Sequence, residues 1–266
     1  MTIKIFDTKA TTFSKIRARK NWNKHNFIFK NVSHILIEKI SEIKKDFKRI
    51  LLITSDLDET ILKLDNLKYD ELIILSENKK FNNISNKKEK KEIVGSVFSN
   101  TLNIKFDLII SNLCLHRVDE VVLYGSNIMN LLESNGLFIC SYFGGKTLIE
   151  LRDSLIRTDQ ERNSGSYQRV IPYIDMIDAT NIFSKVGFKE IVSDKVTLRI
   201  KYKKVEDLLK DIKGMGENNN LLSRYRGMIT KSFIDRLEYY YRKKYQDLKQ
   251  RLTTTCDIIF LSMWKN

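Results

Sequence analysis

Short apolar runs separated by amphipathic segments predict alternating strands and helices along most of the chain. The clearest run, residues 108–110, comes after Phe106 and Asp107 and is followed by the polar residues Ser111 and Asn112. A continuous apolar run of this length is typical of a strand buried on both faces. A helical stripe at residues 121–132 and a second apolar run at 137–143 follow it. This order indicates a strand, a crossover helix and a parallel strand.

The remaining pattern completes an α/β domain. We predict further strands at 50–53, 72–75, 93–98, 196–203 and 258–264. We predict helices at 26–47, 148–155, 175–186, 205–212 and 221–248, a short helix capped by Asp58 and a capping box at 147–150. The Asn/Lys-rich segment 78–91 is predicted to be peripheral and mobile, and the polar segment 160–171 to be a loop over the site.

These elements predict how the sheet is assembled. Strands one, two, four and five should be parallel neighbours, and 196–203 should pair antiparallel with 258–264. We expect a 1–48 N-terminal helical segment and a 49–266 domain with a helical insertion at about 204–250. The expected architecture is a mixed seven-stranded, Rossmann-like α/β sheet with a small helical lid. Such an arrangement is most common in class I S-adenosylmethionine-dependent methyltransferases.

Composition narrows the class of protein. The 266 residues carry a net charge of +14, which fits an acidic protein partner or nucleic acid. The basic residues are dispersed and no nucleic-acid motif accompanies them, so we expect no specific nucleic-acid partner. Three isolated cysteines and three unclustered histidines predict no metal site and a cytoplasmic location. Without an apolar stretch of 18 residues we expect no transmembrane helix, which leaves peripheral membrane association open.

Several local motifs together resemble one family. The runs 107–119 (DLIISNLCLHRVD), 131–138 (LLESNGLF), 143–152 (FGGKTLIELR) and 211–218 (DIKGMGEN) are similar to its motifs, as are Ile5–Asp7 and Arg17–Arg19 at the N-terminus. This is the methyltransferase-like family of the complex I assembly factor that hydroxylates an arginine of an Fe–S subunit. Bacterial members are often named after the malonyl-acyl carrier protein methyltransferase of the biotin pathway.

The resemblance implies an S-adenosylmethionine-dependent protein that acts on a protein substrate such as a respiratory complex subunit. Methylation and arginine hydroxylation both stay open. One alternative is a non-catalytic assembly or binding protein with an eroded cofactor site. Another is a carboxyl methyltransferase of a malonyl-acyl carrier protein. Nucleic-acid binding is a third hypothesis that rests on charge alone.

The predicted cofactor site departs from the usual pattern. Methyltransferases of this fold hold the cofactor with a Gly-rich turn after strand one, but residues 50–64 contain no glycine, and the first glycine of the chain is Gly95. An acid that binds the ribose normally follows strand two. We therefore expect weak or lost S-adenosylmethionine binding. The candidate cofactor-binding residues are Ser55, Asp56, Asp58, Glu77 and Asn112.

The candidate catalytic residues are His116, Asn112 and Arg152. His116 and Asn112 lie at the carboxyl end of a strand, where each is either functional or a polar cap on the sheet. Arg117 replaces the tryptophan of the family's motif. The candidate substrate-binding residues are Phe143, Gly144, Gly145, Arg152, Arg169, Tyr173, Met215 and Arg224. The glycines equally suit a tight strand-to-helix turn, and the lid arginines equally suit a solvated surface.

Overall fold

The computed structural model describes residues 4–54, 59–64, 67–76, 89–98, 102–162 and 165–266. Its helices are α1 Thr8–Arg19, α2 Trp22–His25, α3 Phe27–Ser41, α4 Glu59–Leu64, α5 Val121–Leu131, α6 Ile149–Arg162, α7 Met176–Val186, α8 Val205–Gly214 and α9 Lys231–Tyr245, with a 3₁₀ turn at Leu115–Arg117. Its strands are β1 Arg49–Thr54, β2 Glu71–Ser76, β3 Glu89–Val94, β4 Phe106–Asn112, β5 Leu132–Gly144, β6 Lys189–Tyr202 and β7 Leu252–Trp264.

The strands form one seven-stranded sheet in the order β3-β2-β1-β4-β5-β7-β6. The first five in that order pair in parallel. Strand β7 pairs antiparallel with both β5 and β6. The predicted parallel neighbours and the predicted antiparallel pair are confirmed. From β1 the chain continues to β2 on one side of the sheet, and from β4 it continues to β5 on the other side. The strand order therefore reverses between β1 and β4, and open α/β sheets bind their ligands at such a switch point.

Alternate side chains of the buried strands supply two separate cores. Ile50 and Leu52 of β1 pack with α3 and α4 on one face of the sheet. Leu51 and Ile53 of the same strand pack with α5 and α7 on the other face. Burial on both faces explains why the central strands read as continuous apolar runs.

A third apolar cluster lies at the carboxyl end of the sheet. It joins α6, α8 and α9 through Leu151, Leu208, Phe233 and Leu237, which are all buried. Helices α8 and α9 lie within the range 204–250, where the sequence predicts a helical insertion.

Several predicted boundaries are wrong. Strands β6 and β7 begin at Lys189 and Leu252 rather than at 196 and 258, and α6 continues to Arg162, inside the segment predicted to be a loop from 160 to 171. Helix α3 ends at Ser41 rather than near 47, because the polar residues 44–46 begin the return toward β1. Strand β3 spans 89–94 rather than 93–98. Residues 89–91 of the Asn/Lys-rich segment therefore lie in a strand at the edge of the sheet, where charged side chains are tolerated. The rest of that segment lies outside the described residues.

The predicted helix over 221–248 begins only at Lys231. Its first part instead bonds to the N-terminal segment, because Leu221 forms an isolated antiparallel bridge with Phe6. Arg224 also pairs with Asp7, the N-cap of α1, at 2.9 Å. These contacts join the start of the chain to the segment before α9.

The predicted capping box at 147–150 is also wrong. Thr147 Oγ1 donates to the carbonyl of Asp257 at 3.0 Å and accepts from its amide at 3.1 Å. The carboxylate of Glu150 accepts from the amide of Thr255 at 2.9 Å and from its hydroxyl. Both side chains therefore hold α6 against β7 instead of capping the helix.

Candidate functional site

A first cavity lies at the carboxyl ends of β1, β2 and β4, at the point where the strand order reverses. We call it the switch-point cavity; the residues that line it enclose about 160 Å³. Its apolar and aromatic walls include Ile53, Leu75, Val97, Phe98, Leu113 and Tyr124. Its hydroxyl groups include those of Thr54, Ser76 and Ser96, and its cationic side chains include Lys15, Arg19 and Arg117. Position and lining both fit a nucleoside-type ligand.

A second cavity of about 350 Å³ lies under the helices of the C-terminal part of the chain. We call it the lid cavity. Its walls are mainly apolar and come from α6, α8 and α9, including Leu148, Leu151, Leu155, Leu209, Ile212, Phe233, Ile234 and Leu237. Its polar lining includes Arg169, Tyr173, Glu217, Asn218 and Arg224. An apolar chamber with a few convergent polar groups is typical of a substrate site.

A buried charge cluster, consisting of Lys15, His116, Arg117 and Glu217, joins the two cavities. Glu217 pairs with the ammonium of Lys15 and accepts from Arg117 Nε at 3.0 Å and Nη2 at 2.8 Å. His116 Nε2 lies 3.0 Å from the same carboxylate. Lys15 and Arg117 line the switch-point cavity, whereas Glu217 lines the lid cavity. The cluster therefore belongs to a wall that both cavities share.

Local structure explains how four distant residues meet. His116 and Arg117 follow β4 in the 3₁₀ turn, and Lys15 lies on α1. Gly216 ends the turn after α8 at φ +71°, and a Cβ there would lie 2.9 Å from Lys15 Cδ. A glycine thus permits both the left-handed turn and the close approach of α1. The next residue is Glu217, which the turn places against Lys15.

Electrostatics define the protonation of the cluster. Burial alone would raise the pKa of Glu217, but Arg117, Lys15 and His116 together hold it well below its ordinary value. Burial lowers the pKa of His116 despite the neighbouring carboxylate. Near neutral pH the cluster therefore holds an ionised carboxylate, two cations and a neutral imidazole.

His116, a candidate catalytic residue, is buried among aromatic rings. Its ring packs edge-on against Phe143 at 4.9 Å between centroids, and the ring of Tyr173 lies at 6.3 Å. Nδ1 of His116 has no hydrogen-bond partner among the residues that the structure describes. With Nε2 facing Glu217, Nδ1 is left as an acceptor for a ligand or for water.

Asn112, predicted for both the catalytic and the cofactor site, lies in a buried network. Its amide nitrogen donates to Ser33 Oγ at 3.0 Å and to Thr60 Oγ1 at 2.8 Å. Its amide oxygen accepts from Ser141 Oγ at 2.8 Å. The side chain therefore connects β4 to α3, α4 and β5. This arrangement favours the interpretation of Asn112 as a polar cap on the sheet.

The predicted glycines shape the turn after β5. A Cβ on Gly144 would overlap the side chain of Ile259 in β7, and one on Gly145 would lie 3.2 Å from Asp175 Oδ2. Close packing therefore accounts for Gly144 without a ligand. Phe143 is buried between His116 and Tyr173.

The predicted substrate-binding arginines are all engaged within the protein. Arg169 forms a bidentate pair with buried Asp159 at 2.8 and 2.7 Å, and its guanidinium lies 4.4 Å from the ring centroid of Tyr225. Arg224 pairs with Asp7. Arg152 donates to the carbonyl of Ile171 at 3.0 Å. Arg169, Tyr173 and Arg224 line the lid cavity, whereas Arg152 does not.

Met215 is buried between α8 and the cluster, and its carbonyl accepts from the ammonium of Lys15 at 3.4 Å. The candidates Ser55, Asp56, Asp58 and Glu77 lie outside the described residues. The sequence analysis did not single out Lys15, Asp159 or Glu217. Glu217 lies inside the DIKGMGEN motif, and an acidic residue between glycines and asparagines is the feature of the sequence that could have marked it as a site residue.

The described residues show neither a metal-binding cluster nor a membrane-spanning helix. In the parts of the chain that the structure places, no group of three or more His, Cys, Asp or Glu side chains is arranged to hold a metal ion. No helix among the same residues has the length and hydropathy needed to cross a membrane.

The fold defines the class of protein. The chain superposes on the YcgJ protein of Bacillus subtilis with a TM-score of 0.59 and 14% identity, covering 88% of this chain and 98% of that one. It superposes on phosphoethanolamine N-methyltransferase 2 of Haemonchus contortus, in complex with S-adenosylhomocysteine, with a TM-score of 0.51 and 15% identity, covering 87% and 52%. The fold is that of the class I S-adenosylmethionine-dependent methyltransferases.

Comparison with curated protein sequences identifies relatives of the chain. The chain is 34% identical over 158 residues to the mitochondrial arginine-hydroxylase NDUFAF5 of Dictyostelium discoideum, covering 59% of this chain and 36% of that protein. It is 29% identical over 160 residues to the human protein of the same name, covering 60% and 46%. It is 29% identical over 161 residues to malonyl-[acyl-carrier protein] O-methyltransferase 1 of Ilyobacter polytropus, covering 60% and 57%.

These relatives are homologues from the family that the sequence motifs indicated, and the resemblance is confirmed. The chain spans between about a third and three fifths of the length of these curated relatives. No protein-family model matches the chain.

Proposed function

We propose that this chain is an S-adenosylmethionine-binding, methyltransferase-like protein that modifies a side chain of a protein substrate. The observation that carries the proposal is the shared wall between two cavities of different character. One cavity lies at the switch point of the sheet, and the other is an apolar chamber under the lid helices. A cofactor and a substrate that react together need two such adjoining compartments.

The lining of the switch-point cavity supports a nucleoside cofactor. Phe98 and Tyr124 offer aromatic faces for a base, and Leu75 and Leu113 offer apolar walls. Ser76 at the end of β2 stands near the position where this fold binds the ribose. When bound, S-adenosylmethionine supplies an electrophilic methyl group. The residues of this chain would hold the nucleoside and exclude water from it.

The lid cavity supports a substrate with an apolar stem and a polar end. Its aliphatic walls would cover the stem of a long side chain. Its polar residues, including Tyr173 and Asn218, would orient the end group. His116 lies in the shared wall with its side chain fully buried, and its Nδ1, without a partner among the described residues, would accept a hydrogen bond there once the wall opened to the substrate. Arg152 holds the carbonyl of Ile171 in place and is proposed as a positioning residue for the loop that carries Tyr173.

The names of the relatives refine the proposal. Two are named as arginine hydroxylases, which supports an arginine as the target. We propose a respiratory complex subunit as its carrier, because the sequence motifs resemble those of the complex I assembly factor. One is named as a malonyl-[acyl-carrier protein] methyltransferase, which supports a carboxyl group on a carrier protein as the alternative. We further propose an acidic protein partner for this basic chain. Its cytoplasmic location stays a prediction, since two relatives are named as mitochondrial.

A non-catalytic assembly protein is the second candidate, and one sequence feature favours it. Residues 50–64 contain no glycine, so the sequence that follows β1 lacks the residue type that best lets backbone amides approach the cofactor. A chain that lost cofactor binding would keep the lid cavity and its partner.

Mass spectrometry separates these candidates. The purified chain is incubated aerobically, with a reductant, with an arginine-bearing Fe–S subunit or a malonyl-carrier protein, each with and without S-adenosylmethionine. We expect addition of a methyl group or an oxygen atom to one substrate, dependent on the cofactor. Co-purification of a substrate without modification would favour the assembly protein. Neither binding nor modification of any substrate would overturn the proposal.

A further inference from the structure

We infer that Lys15 and Arg117 form an anion-binding subsite on the wall of the switch-point cavity, which takes the carboxylate of the cofactor's amino-acid portion. The inference rests on the proposed function and assigns two residues that the sequence analysis did not place in the site. Charge, position and unused donors each support it.

The charge cluster is not neutral. Lys15 and Arg117 each carry a full positive charge, and Glu217 supplies one negative charge between them. His116 is buried, and burial disfavours its charged form. Counted over the described residues, the four side chains of the cluster therefore sum to one positive charge. A buried charge without a partner is unfavourable, so a bound anion would complete the site.

The excess charge faces the switch-point cavity. Lys15 and Arg117 line that cavity, whereas the carboxylate that partly neutralises them lines the lid cavity. Arg19 is a third cation on the same wall. Asp119, the acid among the described lining residues, accepts from the backbone amides of Ile5 and Phe6 at 2.8 and 3.1 Å. The described lining is therefore positive in balance.

Both cations keep a donor for a ligand. The ammonium of Lys15 has three N–H groups, and it donates to Glu217 and to the carbonyl of Met215. Arg117 has five N–H groups, of which two donate to Glu217 and one to the carbonyl of Asn218. A fourth donates to the side-chain oxygen of Asn220 when the amide of Asn220 is oriented so that both its oxygen and its nitrogen have partners. Among the described residues no hydrogen-bond acceptor takes the remaining N–H of either side chain, and the ammonium of Lys15 also lies 5.2 Å from the ring centroid of Phe29.

The role of Glu217 follows from this geometry. By bonding both cations it fixes the positions of their charged groups, which reduces the conformational freedom that ligand binding would otherwise remove. Glu217 is thus a positioning residue for the anion subsite.

A pair of matched ligands tests the inference. S-adenosylmethionine and its decarboxylated analogue share the adenosine, the sulfonium and the amine, and differ in the carboxylate. Isothermal titration of the native chain should give an affinity for S-adenosylmethionine about tenfold to hundredfold higher than for the analogue, because charge-assisted hydrogen bonds are lost. Equal affinities would overturn the inference and leave the proposed function standing. Binding of neither ligand would count against both.

Variants locate the subsite. Arg117→Gln and Lys15→Gln, each checked for folding by circular dichroism, should weaken S-adenosylmethionine binding about tenfold and leave the analogue unchanged. Arg236→Gln removes a surface cation that pairs with Glu161 and should change neither affinity. Equal losses for both ligands would overturn the assignment. If a variant fails to fold, the comparison of the two ligands on the native chain still decides the question.

Discussion

The substitution Glu217→Gln should destabilise the fold severely, because it leaves two buried cations without their shared carboxylate. Glu217 and Arg117 each have a side-chain exposure of 8%, and Lys15 has 9%. Removing one partner of a buried ion pair costs about 3–5 kcal/mol. The Gln side chain keeps the size and one acceptor oxygen, so the loss reports charge rather than a cavity.

Urea denaturation followed by circular dichroism measures the effect. With a slope of about 3 kcal/mol per M urea for a chain of this size, a loss of about 3 kcal/mol lowers the midpoint by about 1 M. The matched control is Glu161→Gln, which breaks the surface pair with Arg236 and should cost less than about 1 kcal/mol. Equal midpoints for the native chain and Glu217→Gln would refute the buried cluster.

The cluster also predicts the pH dependence of stability. The folded pKa of Glu217 lies below its unfolded value, so its contribution is present above 4.5 and is lost as pH falls through the folded pKa. The folded pKa of His116 also lies below its ordinary 6.5, so only the unfolded chain takes up that proton at first. Both groups destabilise the fold on acidification. The free energy of unfolding should fall below pH 6.5, and Glu217→Gln should show a weaker decline below pH 4.5.

Two further substitutions test the packing around the lid. Gly144→Ala should cost about 1–3 kcal/mol of stability through overpacking against Ile259. The control is Gly165→Ala, whose added Cβ would meet no described atom within 4 Å and should cost less than about 1 kcal/mol. Similar urea midpoints for the two variants would contradict the steric argument. Asp159→Asn should cost about 3–5 kcal/mol because it removes the buried carboxylate that pairs with Arg169, whose side chain is only 10% exposed. A thermal midpoint equal to that of the native chain would show that the pair is dispensable.

The sheet could be predicted because its strands carry their signal locally. Residues 50–53, 72–75 and 108–110 are apolar runs buried on both faces, and each forms the core of a parallel strand. The edge strand β3 has no such signal, since Lys90, Lys91 and Glu92 read as a solvated segment. Edge strands tolerate charge, so composition alone misplaces them.

The candidate site could be predicted only in part. Tyr173 and Arg169 reach the lid cavity and His116 reaches the shared wall. The charge cluster could not be found from the sequence, because Lys15 and Glu217 are 202 positions apart and each reads as an ordinary surface charge. Thr147 and Glu150 are predicted to cap a helix because their spacing fits a capping box. In the structure both side chains bond instead to the distant strand β7, which a local sequence pattern does not reveal.

Titration of the native chain with S-adenosylmethionine tests the central claim most directly. We predict one saturable site, displaced by S-adenosylhomocysteine, with a dissociation constant of about 0.1–1 mM because residues 50–64 contain no glycine. Asp56→Ala and Glu77→Ala then show whether either acid contributes to the site. A low-micromolar constant would contradict the predicted weakening and favour an efficient enzyme. Absence of saturable binding at several-fold higher concentration would contradict the claim that the switch-point cavity holds this cofactor.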